Sequence, residues 1–364
     1  MLRAALIGFP STGKTTLFQL MTAGHEAVRP HGRGEAAVGI SRVPDTRLDR
    51  LTAMYKPRRR VPATIEFADI AAAGAGAGQA LVDVAAYRNA DALVHVIRAF
   101  NDPSVPHISG SVDPARDAQS MEDELILADL GVAERRLDRL ERDLKKNRTA
   151  DLVREHEILV RCKQALESGT SLRAFDLAGD DLKRLRGFQF LSAKPLLLAI
   201  NLDEAHVATV GGDAGRAATT VGLSEFRTHA ATRAVPLCAK IELEIAELDP
   251  ADASAFLADL GLHESGLDRV IRAAYDLLGY ISFFTVGDDE CRAWSIARGT
   301  AAQAAAGEIH SDIARGFIRA EVVAYEALVT RGSMAACREH GEVRLEGKEY
   351  VVEDGDVINF RFAT

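Results

Sequence analysis

The octet Gly8-Phe9-Pro10-Ser11-Thr12-Gly13-Lys14-Thr15, followed by Thr16, fits the pattern G-x-x-x-x-G-K-[ST], whose residue types suit a polyphosphate. Glycines at both ends let the backbone turn its N–H groups inward, where a side chain would obstruct. Lys14 supplies positive charge to the terminal phosphates, and Thr15 offers a hydroxyl to Mg²⁺. A helix beginning near Lys14 would aim its positive dipole end at the ligand. Asp69 closes the stretch "ATIEFAD", and a carboxylate there can hold Mg²⁺ opposite Thr15. The other reading of Asp69 is a cap for the next turn. Two further polar turns follow apolar runs: Asn201-Leu202-Asp203-Glu204 and Cys238-Ala239-Lys240.

Five strands would position these groups, at 2–7, 63–71, 92–99, 194–200 and 234–238. Phosphate loop, strand-end Asp, Asn-x-x-acid and small-Ala-Lys is the element order of guanine-nucleotide switch proteins. The expected fold is therefore α/β: a P-loop G-type domain with a doubly wound sheet, its ligand at the strands' carboxyl ends. A guanine reader would carry Asn-Lys-x-Asp where this chain carries Asn201-Leu202-Asp203-Glu204. Glu204 is one methylene longer than Asp, and Leu202 replaces a lysine stem that would lie along the base. The change could mark a damaged guanine reader, a reader of a different base, or an accident of a polar loop.

The interval from Asp69 to Asn201 is too long for one such domain. Leu130, Leu137 and Leu144 recur every seven residues, as do Leu152, Leu159 and Leu166 on the return. That pattern is an antiparallel helical hairpin turning at 147–150. Between Ala133 and Arg161 nine Lys/Arg face seven Asp/Glu, so its outer face is mixed and not a basic stripe. It reads equally as a solvated arm or as a docking arm. Residues 344–362 read as a hairpin and strands of a small α+β module with no catalytic cluster. The boundaries expected are 1–115 and 190–280 for the nucleotide domain, 116–189 for the insertion and 281–364 for the last module.

A net charge of −9 gives no bulk attraction to nucleic acid or anionic membrane, so no sequence-specific DNA binding is expected. Lys56-Pro57-Arg58-Arg59-Arg60 could form a local basic patch or a solvated loop. Four scattered cysteines show no metal spacing. No apolar run reaches the roughly 20 residues of a membrane helix, and no signal peptide opens the chain. A cytoplasmic protein with reduced thiols is expected.

Across nearly its whole length the sequence resembles the YchF, or Obg-like ATPase, family. The resemblance is carried by "GFPSTGKTTLF", "PDTRLDRL", "ALVHVIRAF", "HISGSVDP" and "RAWSIARGTAAQAAAGEIHSDIARGFIRAE". It implies a P-loop domain interrupted by a coiled-coil arm and followed by a TGS domain, which is β-grasp-like. It implies ATP as the ligand, with GTP tolerated because Cys238-Ala239-Lys240 still resembles a guanine clamp, and Mg²⁺ as cofactor. The ribosome or a ribosomal subunit is the implied partner, and translation or stress regulation the implied role. His107, in the loop matching the family's mobile segment, is the implied catalytic substitute for a water-orienting glutamine; a merely solvated histidine is the alternative. Ala72 stands where the family has glycine, Ala73 marks its apolar position, and Arg33 falls where a threonine would meet Mg²⁺. These departures imply slow hydrolysis, or a nucleotide-dependent adaptor with little turnover; a GTPase is the third reading.

Overall fold

A computed structural model describes residues 3–23, 37–69, 84–175 and 179–363. In chain order they form β1 (Arg3–Ile7), α1 (Lys14–Thr22), β2 (Ala37–Arg42), α2 (Thr46–Tyr55), β3 (Arg59–Val61), β4 (Thr64–Asp69) and β5 (Ala92–Ala99). Then come α3 (Pro114–Lys146), α4 (Ala150–Glu167), α5 (Gly179–Leu185), β6 (Leu196–Leu202), α6 (Glu204–Val210), α7 (Ala214–Thr220), α8 (Ser224–Thr228) and β7 (Thr232–Leu237). Next are α9 (Ala239–Glu247), α10 (Pro250–Asp259), α11 (Gly266–Leu277), β8 (Tyr280–Thr285), β9 (Glu290–Ala297), α12 (Ala302–Ile309) and α13 (Ser311–Arg315). The chain ends with β10 (Phe317–Ala324), α14 (Tyr325–Arg331), α15 (Met334–Glu339), β11 (Arg344–Glu346) and β12 (Asp356–Phe362). These elements form two compact units, Met1–Ile40 with Glu66–Leu277, and Ser41–Ile65 with Leu278–Thr364.

The first unit is the doubly wound α/β domain. Its sheet has the order β2-β4-β1-β5-β6-β7, and β1, β4, β5, β6 and β7 pair in parallel. Every residue of β6, "LLLAINL", is buried, as expected of a central parallel strand covered on both faces. It runs two residues beyond the stretch expected from sequence, so Asn201 and Leu202 are strand residues and not loop residues.

Between β5 and β6 the hairpin of α3 and α4 is inserted. Asp113 caps α3, accepting from Arg116 N, and Pro114 opens it, where its missing N–H costs nothing. Thr149 caps α4 through Leu152 N. Ala133, Leu137, Leu140, Leu159 and Leu166 form one apolar seam; Leu144 and Leu152, nearest the turn, are half-buried. The 33 residues of α3 span about 50 Å. At the base of the arm, Asp129 is fully buried and accepts from Arg88 Nη1, Leu191 N, Ser192 N and Ser192 Oγ. Nearby, Arg173 Nη1 meets Glu122 Oε1 at 2.5 Å.

The second unit carries a sheet of order β11-β10-β12-β8-β9-β3 over a core that includes Phe283, Ile296, Ala305, Val322 and Phe360. Three expectations are corrected here. The strands β11 and β12 do not form a hairpin, because β10 lies between them and pairs with both. Residues 41–65, placed by sequence in the nucleotide domain, pack in this unit: β3 pairs with β9, and Leu48 and Leu51 of α2 are fully buried. The basic run is a loop only over Lys56-Pro57-Arg58, since Arg59 and Arg60 lie in β3. Arg58, Arg59 and Arg60 face Asp289, Glu290 and Asp49 at 3.3, 3.3 and 2.6 Å.

Candidate nucleotide site

Gly8 and Gly13 hold φ of +144° and +96°, conformations that favour glycine. A Cβ on Gly8 would lie 2.6 Å from the Val96 carbonyl oxygen, and one on Gly13 2.6 Å from Asn201 Nδ2. Both positions therefore require the missing side chain as well as the backbone freedom. Ser11, at φ +62°, takes the same left-handed region with a side chain. Phe9 turns its ring into the core at 3% exposure, so only its backbone belongs to the loop. Thr12 Oγ1 closes the turn by donating to Phe9 O at 3.1 Å.

Lys14 is buried, and its Nζ donates to Gly8 O and Phe9 O at 2.7 Å each. Burial pulls its pKa below the ordinary lysine value, and the charge of Asp69 opposes that shift. Thr15 Oγ1 donates to Asp69 Oδ2 at 3.1 Å. The register pairing of Leu6 with Asp69 puts this carboxylate at the sheet edge from which the loop springs. A hydroxyl and a carboxylate are hard oxygen donors, too few to cage a metal but suited to Mg²⁺, which retains waters and phosphate oxygens. Among the described residues no cluster of three His, Cys, Asp or Glu could hold a metal alone.

The four residues after β6's apolar stretch divide their work. Asn201, 2% exposed, donates through Nδ2 to Thr12 O at 3.0 Å and accepts at Oδ1 from Ala239 N at 3.0 Å. One side chain thereby brackets the phosphate loop to the 238–240 turn. Leu202 is 1% exposed and packs in the core. It nevertheless stands among the residues that line the cavity at this end of the sheet. Asp203 caps α6 by accepting from His206 N at 2.9 Å. Glu204 forms an ion pair with Lys240, a contact that holds its carboxyl below the usual range. Cys238 is 3% exposed, and burial raises its thiol pKa.

These groups converge on a cavity of about 600 Å³, lined in part by Ser11, Gly13, Thr16, Asn201, Glu204 and Lys240. Sequence reasoning missed one entire wall, Phe100, Asn101, Asp102, Pro103 and Val105. The signal available was positional, because these residues follow β5 at the same sheet edge. His107 does not line this cavity. Its side chain is 3% exposed, with Nε2 2.8 Å from Asp117 Oδ2 and Nδ1 accepting from Ser109 N at 3.1 Å. The reading of it as a solvated loop histidine is therefore corrected. Arg33, Ala72 and Ala73 lie outside the described residues.

The family model YchF-GTPase_C, described as "Protein of unknown function (DUF933)", matches residues 280–363. Ribosome-binding ATPase YchF of Bacillus subtilis (strain 168) is 44% identical over 367 residues, 99% of each chain. Obg-like ATPase 1 of Oryza sativa subsp. japonica is 35% identical, covering 99% of this chain and 92% of the relative. The solved Schizosaccharomyces pombe YchF GTPase superposes with a TM-score of 0.86 at 29% identity, covering 99% of this chain and 97% of the other. Likeness of this degree across almost the full length, together with the arm inserted after β5, establishes that the chain belongs to the YchF, or Obg-like ATPase, family.

Proposed function

We propose that this chain is a Mg²⁺-dependent nucleotide switch that binds ATP, tolerates GTP and hydrolyses ATP slowly. The observation that carries the reading is the Asn201 bracket. It ties the phosphate loop at Thr12 to the 238–240 turn at Ala239, so phosphate and base recognition share one buried side chain. Lys14 and the N-terminus of α1 would hold the phosphates, and Thr15 with Asp69 would hold Mg²⁺. The metal would supply charge neutralisation for the terminal phosphates. Glu204, engaged by Lys240, is not free to take the place of a guanine-reading carboxylate, which supports ATP. The retained 238–240 turn supports tolerance of GTP.

The names of the bacterial relatives support a ribosomal partner and a role in translation or stress regulation. The nucleotide-dependent adaptor is the second reading, motivated by Arg33 and Ala72. Phosphate release from ATP and GTP, measured side by side with Lys14→Ala as blank, tests the proposal. ATP turnover above the blank and faster than GTP is expected. Tight ATP binding with release at the blank rate would leave the adaptor, and GTP bound more than tenfold tighter than ATP would leave a GTPase. Co-sedimentation with ribosomes that differs between ATP and ADP is the expected sign of the partner.

A further inference from the structure

Arg98, the next-to-last residue of β5, is almost completely buried, at 2% exposure. Burying a guanidinium is costly unless its donors are met, and here one short loop meets Nε and Nη2 while the buried Nη1 has no hydrogen-bond partner. Nε donates to Phe100 O at 3.3 Å, and Nη2 donates to Asp102 O at 3.3 Å and Val105 O at 2.8 Å. The guanidinium carbon also lies 4.7 Å from the centre of the Phe100 ring. Phe100, Asn101, Asp102, Pro103 and Val105 are the wall of the 600 Å³ cavity. In register, Arg98 stands beside Asn201, so the two strand ends that shape the cavity each do so through one buried side chain.

We infer that Arg98 is the positioning residue that moulds this wall for the nucleoside part of the ligand. It makes no claim on the phosphates, which belong to the loop at 8–15. The inference rests on the nucleotide reading above. Lysine at this position keeps the charge but cannot reach three carbonyl oxygens or stack a planar group on the ring.

The test is binding of ATP and of inorganic tripolyphosphate to the full chain with Mg²⁺, by competition against a fluorescent ATP analogue. Arg98→Lys is expected to weaken ATP at least tenfold while tripolyphosphate stays within twofold. Phe100→Leu, at a half-exposed position, removes only the stacked ring, and is expected to weaken ATP severalfold with tripolyphosphate again unchanged. It keeps the test decisive should Arg98→Lys not fold. Lys14→Ala is expected to weaken both ligands. Equal losses for the two ligands in the Arg98 and Phe100 variants, or no loss of ATP, would overturn the inference and leave the nucleotide reading standing. A wild-type chain that binds neither ligand would remove both.

Discussion

Asn201 has a structural task that does not depend on any role of its motif in base choice. Its amide links the phosphate loop to the 238–240 turn, and both partner groups are buried backbone. Truncation to alanine leaves one donor and one acceptor unmet, each worth about 1–3 kcal/mol. Asn201→Ala is therefore expected to lower unfolding free energy by roughly 2–6 kcal/mol and to abolish any stabilisation by ATP, read by urea denaturation with and without nucleotide. Glu204→Gln makes the contrast. Its ion pair with Lys240 is about half exposed, so a change within ~0.5 kcal/mol is expected, with any effect confined to ATP against GTP choice. His107 invites a different experiment. To reach a terminal phosphate it must leave Asp117, so Asp117→Asn, which weakens that bond, is expected to speed ATP hydrolysis while His107→Ala slows it at unchanged ATP affinity. Slowing in both variants would assign the pair to holding the loop.

At the scale of elements, β5 is the central strand on which the site leans, and it carries a histidine in its middle. His95 is 2% exposed, and desolvation, helped by the charge of Lys14, depresses its pKa to about 3. As pH falls below about 6.5 the unfolded chain takes up this proton first. Folding then loses about 1.4 kcal/mol per pH unit until the folded value is reached. The stability difference between the native chain and His95→Gln is thus expected to shift against the native chain by about 2 kcal/mol between pH 8 and pH 5, measured by urea titration. A pH-independent difference would show that the ring is not neutral and buried. How elements were legible differs by kind. The arm was readable because a seven-residue period states its own packing, and Ala133, Leu140 and Leu159 are fully buried. The phosphate loop was readable because Gly13 permits no substitute. The wall at 100–105 was not, because its shape comes from carbonyl groups gathered by Arg98, and carbonyls leave no mark on residue type. The burial of His107 was hidden for a related reason, since its partner Asp117 is a helix residue ten positions away.

At the scale of the whole molecule, chain order and structural unit diverge. The sequence boundary near 280, and the family match over 280–363, both treat the last stretch as self-contained. Within its unit, however, α2 and β3 supply what Leu278–Thr364 lacks. β3 completes the sheet beside β9. Arg47 donates to Asp354 at 2.9 Å from Nη1 and 3.2 Å from Nη2, and its guanidinium lies 5.2 Å from the centre of the Phe284 ring. Without residues 41–65, β9 becomes an unpaired edge, and Phe284 and Cys291, both fully buried, lose cover. The chain's one tryptophan reports on this unit alone. Trp294 donates from Nε1 to Thr285 Oγ1 at 3.0 Å and lies under Arg292 at 4.0 Å. Leu278–Thr364 expressed by itself is accordingly expected to show red-shifted Trp294 emission and no cooperative thermal transition, while the full chain shows one. A matching transition in the isolated segment would mean that α2 and β3 only decorate a module stable without them. Loss of the transition would instead make Ser41–Ile65 an obligatory part of its core, so that the nucleotide domain's own chain is required to fold the module that follows it.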